Sequence, residues 1–177
     1  SGQAGHQHRH QRLRVIDVHL RERHHLGAAQ GDDGAPEPRG ALEGHVVADP
    51  RVGRLILTGA GSSAICQELV EITSVPGDEV IFPWRSFEAY PIFVQVVGAR
   101  PIPVPLDADH RVDLAAIADK ITADTRLIFV CNPNNPSGTT VTKAEFAEFM
   151  DAVPSDVLVA LDEAYIEYNR NADTPLG

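Results

Sequence analysis

The apolar positions of this chain follow two different patterns that meet near residue 55. Downstream of it, short continuous apolar runs alternate with stretches of helical spacing. The runs are Leu55-Ile56-Leu57-Thr58, Glu79-Val80-Ile81-Phe82-Pro83, Leu127-Ile128-Phe129-Val130-Cys131 and Val157-Leu158-Val159-Ala160-Leu161. Runs of this kind, bounded by turn residues, predict strands buried on both faces. Residues 102–106 form another run, interrupted by Pro103 and Pro105, which predicts a strand near a sheet edge.

Helical periodicity fills the gaps. Residues 62–74 predict a helix with Ile65, Leu69 and Ile72 on one face. Pro76-Gly77-Asp78 is a turn. Residues 91–97 predict a second helix, with Pro91 suited to its first turn. Asp113 can cap a third, bearing Leu114, Ile117 and Ile121. Thr142-Lys143-Ala144-Glu145 is a capping box, and it opens a helix with Phe146, Phe149, Met150 and Val153 at core spacing. Strands that alternate with helices predict an α/β fold, a largely parallel sheet with helices on both faces. Sites in such folds gather at the carboxyl ends of strands. Three polar clusters follow predicted strands, at residues 59–63, 132–138 and 162–165.

Residues 1–55 have another composition. They hold eight Arg, seven Asp or Glu, and seven of the eight His. Only residues 13–20 have an apolar rhythm, and no partner for it follows. Such a segment buries too little surface to offset chain entropy, so residues 1–55 are expected to be a disordered or non-native segment. A metal-binding His tract is the competing expectation for it. Residues 56–177 are expected to form the folded body.

Charge and length exclude some functions. The net charge is -10, and residues 56–177 hold seven Lys or Arg against eighteen Asp or Glu, which argues against nucleic acid as a partner. No apolar run reaches membrane-spanning length and no signal-peptide pattern opens the chain, so a soluble protein is expected. Cys66 and Cys131 lie far apart without metal spacing, as expected of reduced core thiols in a cytoplasmic protein.

The first polar cluster, Gly59-Ala60-Gly61-Ser62-Ser63-Ala64, follows a strand and opens a helix. Glycines there let the backbone approach an anion, and the free N–H groups of a helix start can hold a phosphate. Gly59-x-Gly61-x-x-Ala64 also matches a dinucleotide fingerprint, so an NAD(P)-dependent oxidoreductase is a rival reading. That rival needs an acidic residue at the end of the second strand. The chain has Phe82-Pro83-Trp84-Arg85 there. The second cluster, Asn132-Pro133-Asn134-Asn135-Pro136-Ser137-Gly138, is a tight loop after a buried strand. A rigid Asn amide there can donate to a phenolate oxygen, although a plain Asn-Pro turn would look the same. In the third, Asp162-Glu163-Ala164-Tyr165, a carboxylate ends a buried strand and is costly without a partner. A cationic pyridine nitrogen is one such partner. Metal ligation by Asp162 and Glu163 is the weaker alternative, because adjacent side chains point apart and no His is near.

Taken together, the 132–138 loop followed by a strand and Asp162-Glu163-Ala164-Tyr165 resembles the fold-type I aminotransferases that use pyridoxal 5′-phosphate (PLP). Within them it is similar to the histidinol-phosphate and aromatic aminotransferase group. The segment 77–98, with Pro83-Trp84-Arg85-Ser86-Phe87-Glu88-Ala89-Tyr90-Pro91, most resembles the aromatic branch. The resemblance covers residues 56–177 and implies the first part of the large PLP-binding domain. It implies that Ser62 and Ser63 hold the cofactor phosphate and that Phe87 stacks on the pyridine. It further implies that Asn135 and Tyr165 meet the O3′ oxygen and that Asp162 pairs with the pyridine nitrogen. The implied reaction is transamination between an aromatic amino acid and 2-oxoglutarate, with histidinol phosphate as the alternative substrate, in a homodimer. The family's Schiff-base lysine lies on a later strand, beyond Gly177, and Lys120 and Lys143 are expected to be solvated surface groups. A truncated product without activity is the non-enzymatic alternative.

Overall fold

The computed structural model describes residues 60–176, together with the backbone of three strands upstream, β1 (Val15–Val18), β2 (His45–Asp49) and β3 (Arg54–Thr58). The elements that follow are α1 (Ser62–Thr73), β4 (Glu79–Trp84), α2 (Tyr90–Val96), β5 (Arg100–Pro105), α3 (Leu114–Ala118), β6 (Thr125–Cys131), α4 (Lys143–Ala152), β7 (Leu158–Asp162) and a 3-10 turn at Ile166–Tyr168. A five-stranded sheet has the order β1-β7-β6-β4-β5, and every pairing in it is parallel. The edge position predicted for the proline-broken strand is where β5 lies. A strand whose alternate residues lack an N–H can be paired on one side only.

Side-chain parity divides the core into two layers. On one face, Val80 and Phe82 of β4, Leu127, Phe129 and Cys131 of β6, and Ala160 of β7 pack against Ile65, Cys66, Leu69 and Val70 of α1 and Tyr90 and Val94 of α2. On the other, Ile81, Ile128, Val130, Val159 and Leu161 pack with Leu114 and Ile117 of α3 and Phe149 of α4. Burial of each Val, Leu, Ile or Phe side chain among them contributes roughly 1.5–3 kcal/mol.

The cap chemistry appears as expected. The Asp113 carboxylate accepts from Ala116 N at 2.9 Å. Thr142 Oγ1 accepts from Glu145 N at 3.2 Å while Glu145 Oε2 accepts from Thr142 N at 2.7 Å. The Thr142 N–H, with its hydroxyl and Arg111 adding to it, holds the Glu145 carboxyl below its usual range. α3 is shorter than the periodicity suggests and stops at Ala118, so Ile121 and Lys120 lie beyond it. After β7 the chain folds back on the start of α4: Lys143 N donates to Asp173 O at 3.0 Å, and the buried Thr174 donates its hydroxyl to Val141 O at 3.1 Å.

Two differences concern the upstream region. Val15–Val18, inside the one apolar rhythm of residues 1–55, is a strand paired with β7, Val15 against Val159 and Val18 against Asp162. A partner for that rhythm therefore exists, at the edge of β7 that β6 leaves open. Residues 45–49 pair antiparallel with 54–58, so β3 belongs to a hairpin and not to the parallel sheet. The expectation of disorder for the rest of residues 1–55, and the His tract within it, lies outside the described residues. Among the described residues, no helix is long and apolar enough to cross a membrane, and no cluster of His, Cys, Asp and Glu has the makings of a metal site.

Candidate cofactor site

Asp162 closes β7, and parity fixes its direction. Leu158 and Ala160 face the layer of α1 and α2, so Asp162 faces it too, at the carboxyl edge of the sheet. Its partner in the ladder is Cys131, the last residue of β6, and Asn132 N donates to Asp162 O at 2.9 Å. The loops after β6 and β7 therefore leave the same edge of the sheet side by side. Asp162 is 2% exposed.

Three groups surround its carboxylate. Tyr90, at the start of α2, donates its hydroxyl to Oδ2 at 2.6 Å. The Cys66 thiol, one turn into α1, is 3.9 Å from the same oxygen. Ala164 N donates to Oδ1 at 3.2 Å. Burial raises the Asp162 carboxyl above its ordinary range, and the bonds from Tyr90, Ala164 and Cys66 oppose that only in part. Burial also raises the Tyr90 phenol, so the shared proton stays on Tyr90. The Cys131 thiol is pushed up to about 11 by burial and then by the Asp162 charge. Cys66 is raised further for the same two reasons. Neither buried cysteine is activated as a nucleophile.

Tyr90 is itself fully buried in an aromatic cluster. It stacks on Phe129 with ring centroids 4.4 Å apart and planes 9° from parallel. Phe87 meets it edge-on at 5.4 Å. Phe87, the residue expected to cover a pyridine ring, is half-buried and belongs to this cluster.

In the 132–138 loop the asparagines divide their roles. Asn132 is fully buried and accepts from Val141 N at 3.0 Å. Asn134 donates to Arg85 O at 3.3 Å and to Ser137 Oγ at 2.8 Å. Both hold the loop shape. Asn135 is half-buried, and its side chain makes none of the loop's hydrogen bonds among the described residues. Tyr165, three residues after Asp162, is 45% exposed.

Ser62 and Ser63 are the first two residues of the twelve-residue α1, Ser62 9% exposed and Ser63 exposed. Gly61 precedes them at φ 89°, a left-handed conformation that favours glycine. The first N–H groups of α1 have no partner within the helix and can hold an anion. Cys66 ties this helix start to Asp162, one turn away. Gly59 lies outside the described residues. The dinucleotide reading fails on topology: the strand before this turn sits in an antiparallel hairpin, whereas that fingerprint needs a parallel strand of the main sheet.

Tyr90 and Cys66 are the residues of the cluster not expected from the sequence. The parity of Asp162 along β7 was legible, but which helix would cover that face was not. Lys120 and Lys143 are exposed as expected, and Lys143 Nζ donates to Ala172 O at 3.1 Å, away from Asp162. A cleft of about 440 Å³ between α3 and α4, lined in part by Arg111, Asp113, Glu145 and Glu148, shares no residue with the cluster.

Comparison with known proteins follows the same lines. The family described as "Aminotransferase class I and II" matches residues 43–175, beginning upstream of the boundary read from composition. The chain is 59% identical over 145 residues to the aromatic amino acid aminotransferase of Corynebacterium glutamicum (strain R), covering 82% of this chain and 42% of that protein. It is 62% identical over 143 residues to the aromatic amino acid aminotransferase of Corynebacterium diphtheriae, covering 81% of this chain and 41% of that one. The chain thus spans less than half the length of these relatives. Among solved structures, it is similar to histidinol-phosphate aminotransferase from Sinorhizobium meliloti in complex with pyridoxal-5′-phosphate. The TM-score is 0.58 at 26% identity, over 63% of this chain and 30% of that one. On the match over residues 43–175 and the parallel sheet it shares with such structures, the chain belongs to the class I and II aminotransferase family.

Proposed function

We propose that this chain carries the cofactor-cradling part of a PLP-dependent aminotransferase acting on an aromatic amino acid and a 2-oxo acid such as 2-oxoglutarate. The observation that carries the reading is the buried carboxylate of Asp162. It stays in the interior at a cost, and its Oδ1 accepts only the Ala164 N–H among the described residues. That oxygen keeps acceptor capacity for a protonated ring nitrogen, so the chemistry of the site fits the cofactor. The 59% and 62% identities to enzymes named for aromatic amino acids support the substrate class. Histidinol phosphate is the second reading, favoured by the similarity to the Sinorhizobium meliloti structure at 26% identity.

Each residue then has a physical task. Asp162 holds the proton on the ring nitrogen by charge attraction and a charge-assisted hydrogen bond. PLP, when bound, supplies the sink for the electron pair left at the amino acid's α-carbon. The Asn135 amide and the Tyr165 hydroxyl donate to the ionised ring oxygen. The amides of Ser62 and Ser63 hold the phosphate at the start of α1. Phe87 covers one face of the ring. The intact enzyme is proposed to be a homodimer. A reactive amine for the cofactor is not supplied by Lys120 or Lys143, since both are exposed.

Titrating the isotope-labelled chain with PLP tests the cradle. Amide shifts should concentrate at 62–64, 135 and 162–165 and saturate together. Shifts confined to Lys120 and Lys143, or none, would reject the reading. In the full-length gene product, faster transamination of phenylalanine than of histidinol phosphate separates the two substrate readings.

A further inference from the structure

Tyr90 touches two of the residues assigned to the cofactor. Its hydroxyl reaches Asp162 Oδ2 at 2.6 Å, and its ring carries the edge contact to Phe87 at 5.4 Å. The residue has no freedom of its own: it is 0% exposed, stacked on Phe129, and further packed by Phe82 at 6.0 Å. The Phe87 carbonyl also accepts from Tyr90 N at 3.2 Å, where the turn enters α2. The three-residue spacing from Phe87 to Tyr90 thus sets both the ring-face residue and the support of the ring-nitrogen residue in one turn of chain.

We propose that Tyr90 is a positioning residue for Asp162. Its hydroxyl keeps the carboxylate ionised and engages Oδ2, which leaves Oδ1 as the oxygen with capacity for the cofactor. The inference rests on the PLP reading of the site and deepens it. The geometry has a chemical rationale. A buried carboxylate with weak support takes up a proton, and a neutral acid cannot hold the ring nitrogen in its protonated form. Among the described residues, the titratable groups facing Asp162 are Tyr90, Cys66 and Cys131. Both thiols are buried and hold their protons, and Cys66 is a weak donor at 3.9 Å. The phenol is therefore the strong side-chain donor, and the rigid ring behind it fixes the direction from which the bond comes. A second-layer contact of this kind commonly sets the orientation and basicity of the group in front of it.

The test uses the full chain without cofactor. The side-chain carboxyl of Asp162 is followed by carbon NMR across pH in the wild type and in Tyr90→Phe, which keeps the ring packing and removes the donor. The Asp162 midpoint should rise by about one pH unit or more in the variant, as expected for loss of one hydrogen bond to a charged group. An unmoved midpoint in a folded variant overturns the proposal. If Tyr90→Phe does not fold, difluorotyrosine is incorporated at position 90. It keeps the hydroxyl and makes it a stronger donor, so the midpoint should fall, and an unmoved midpoint again overturns the proposal. PLP titration of the same samples separates the two ideas. A shifted Asp162 midpoint with no PLP binding supports the Tyr90–Asp162 coupling and sinks the cofactor reading. PLP binding with an unshifted midpoint does the reverse.

Discussion

The substitution Asp162→Asn should stabilise the chain alone and weaken its response to PLP. The carboxyl is raised above its ordinary value of 3.8 because burial outweighs its hydrogen bonds. The unfolded chain therefore gives up this proton more readily than the folded one. Below the ordinary value both states are protonated and the contribution to stability is complete. It is lost as pH rises through the raised folded value. Each unit of elevation is worth about 1.4 kcal/mol, so the ionised carboxylate is a standing cost at neutral pH. An asparagine side chain in its place cannot ionise, and its amide oxygen can still accept the Tyr90 hydroxyl, at the loss of the Ala164 N–H bond that the amide NH2 cannot accept. Each 1 kcal/mol of net gain raises the unfolding midpoint by about 2–4 °C for a chain of this size. The two proteins should converge at acidic pH. PLP at a hundred times its dissociation constant should stabilise the wild type by about 2.7 kcal/mol. Most of that should vanish in the variant, because an amide does not supply the charge that holds the ring nitrogen's proton. Thermal unfolding followed by circular dichroism over pH 3–8, with and without PLP, measures both effects. A variant less stable than wild type at pH 7, or one with an undiminished PLP response, would refute the reasoning.

Other perturbations probe the frame around the site. Thr142→Ala removes the acceptor for Glu145 N and should cost about 1 kcal/mol in urea unfolding, and a loss under a few tenths would show that the cap is redundant. Cys66 and Cys131 should be inert to a thiol reagent near pH 8 in the native chain and both react in urea, because burial withholds their thiolates. Borohydride reduction of the chain with PLP should label Lys120 and Lys143 sparsely and equally, whereas stoichiometric labelling of one lysine would assign it a reactive amine that its exposure does not provide.

The strands and caps of residues 79–162 were legible in sequence because local chemistry decides them. Continuous apolar runs at β4, β6 and β7 give two buried faces, and Thr142 with Glu145 marks a helix start that tertiary packing had no reason to move. The proline pattern of β5 revealed an edge because a missing N–H is a property of the residue itself. What composition hid was pairing at a distance. Val15–Val18 looked unpartnered because β7, its partner, lies at the other end of the chain. The hairpin of β2 and β3 was missed because a glycine turn after a strand looks alike in a parallel unit and after a hairpin. In the site, Asp162 and Asn135 carry chemical signals of their own, a buried charge and a rigid amide. Tyr90 carries none, since an aromatic beside a helix start is ordinarily core, and its hydroxyl gains meaning only from where α2 lies on the sheet.

The return of the chain onto α4 has a consequence for the segment that bears Tyr165. Thr174 is hydrogen-bonded to Val141, and Asp173 to the first turn of α4, so the stretch after Asp162 is a loop tied at both ends. Loop closure is thus an entropic cost met during folding, and it is not charged again when a ligand arrives. A tyrosine on a free tail would surrender most of its conformational freedom on binding. Under the proposed cofactor reading, Tyr165 starts from a restricted set of positions beside the sheet edge, so more of its hydrogen-bond energy would be left to appear as affinity.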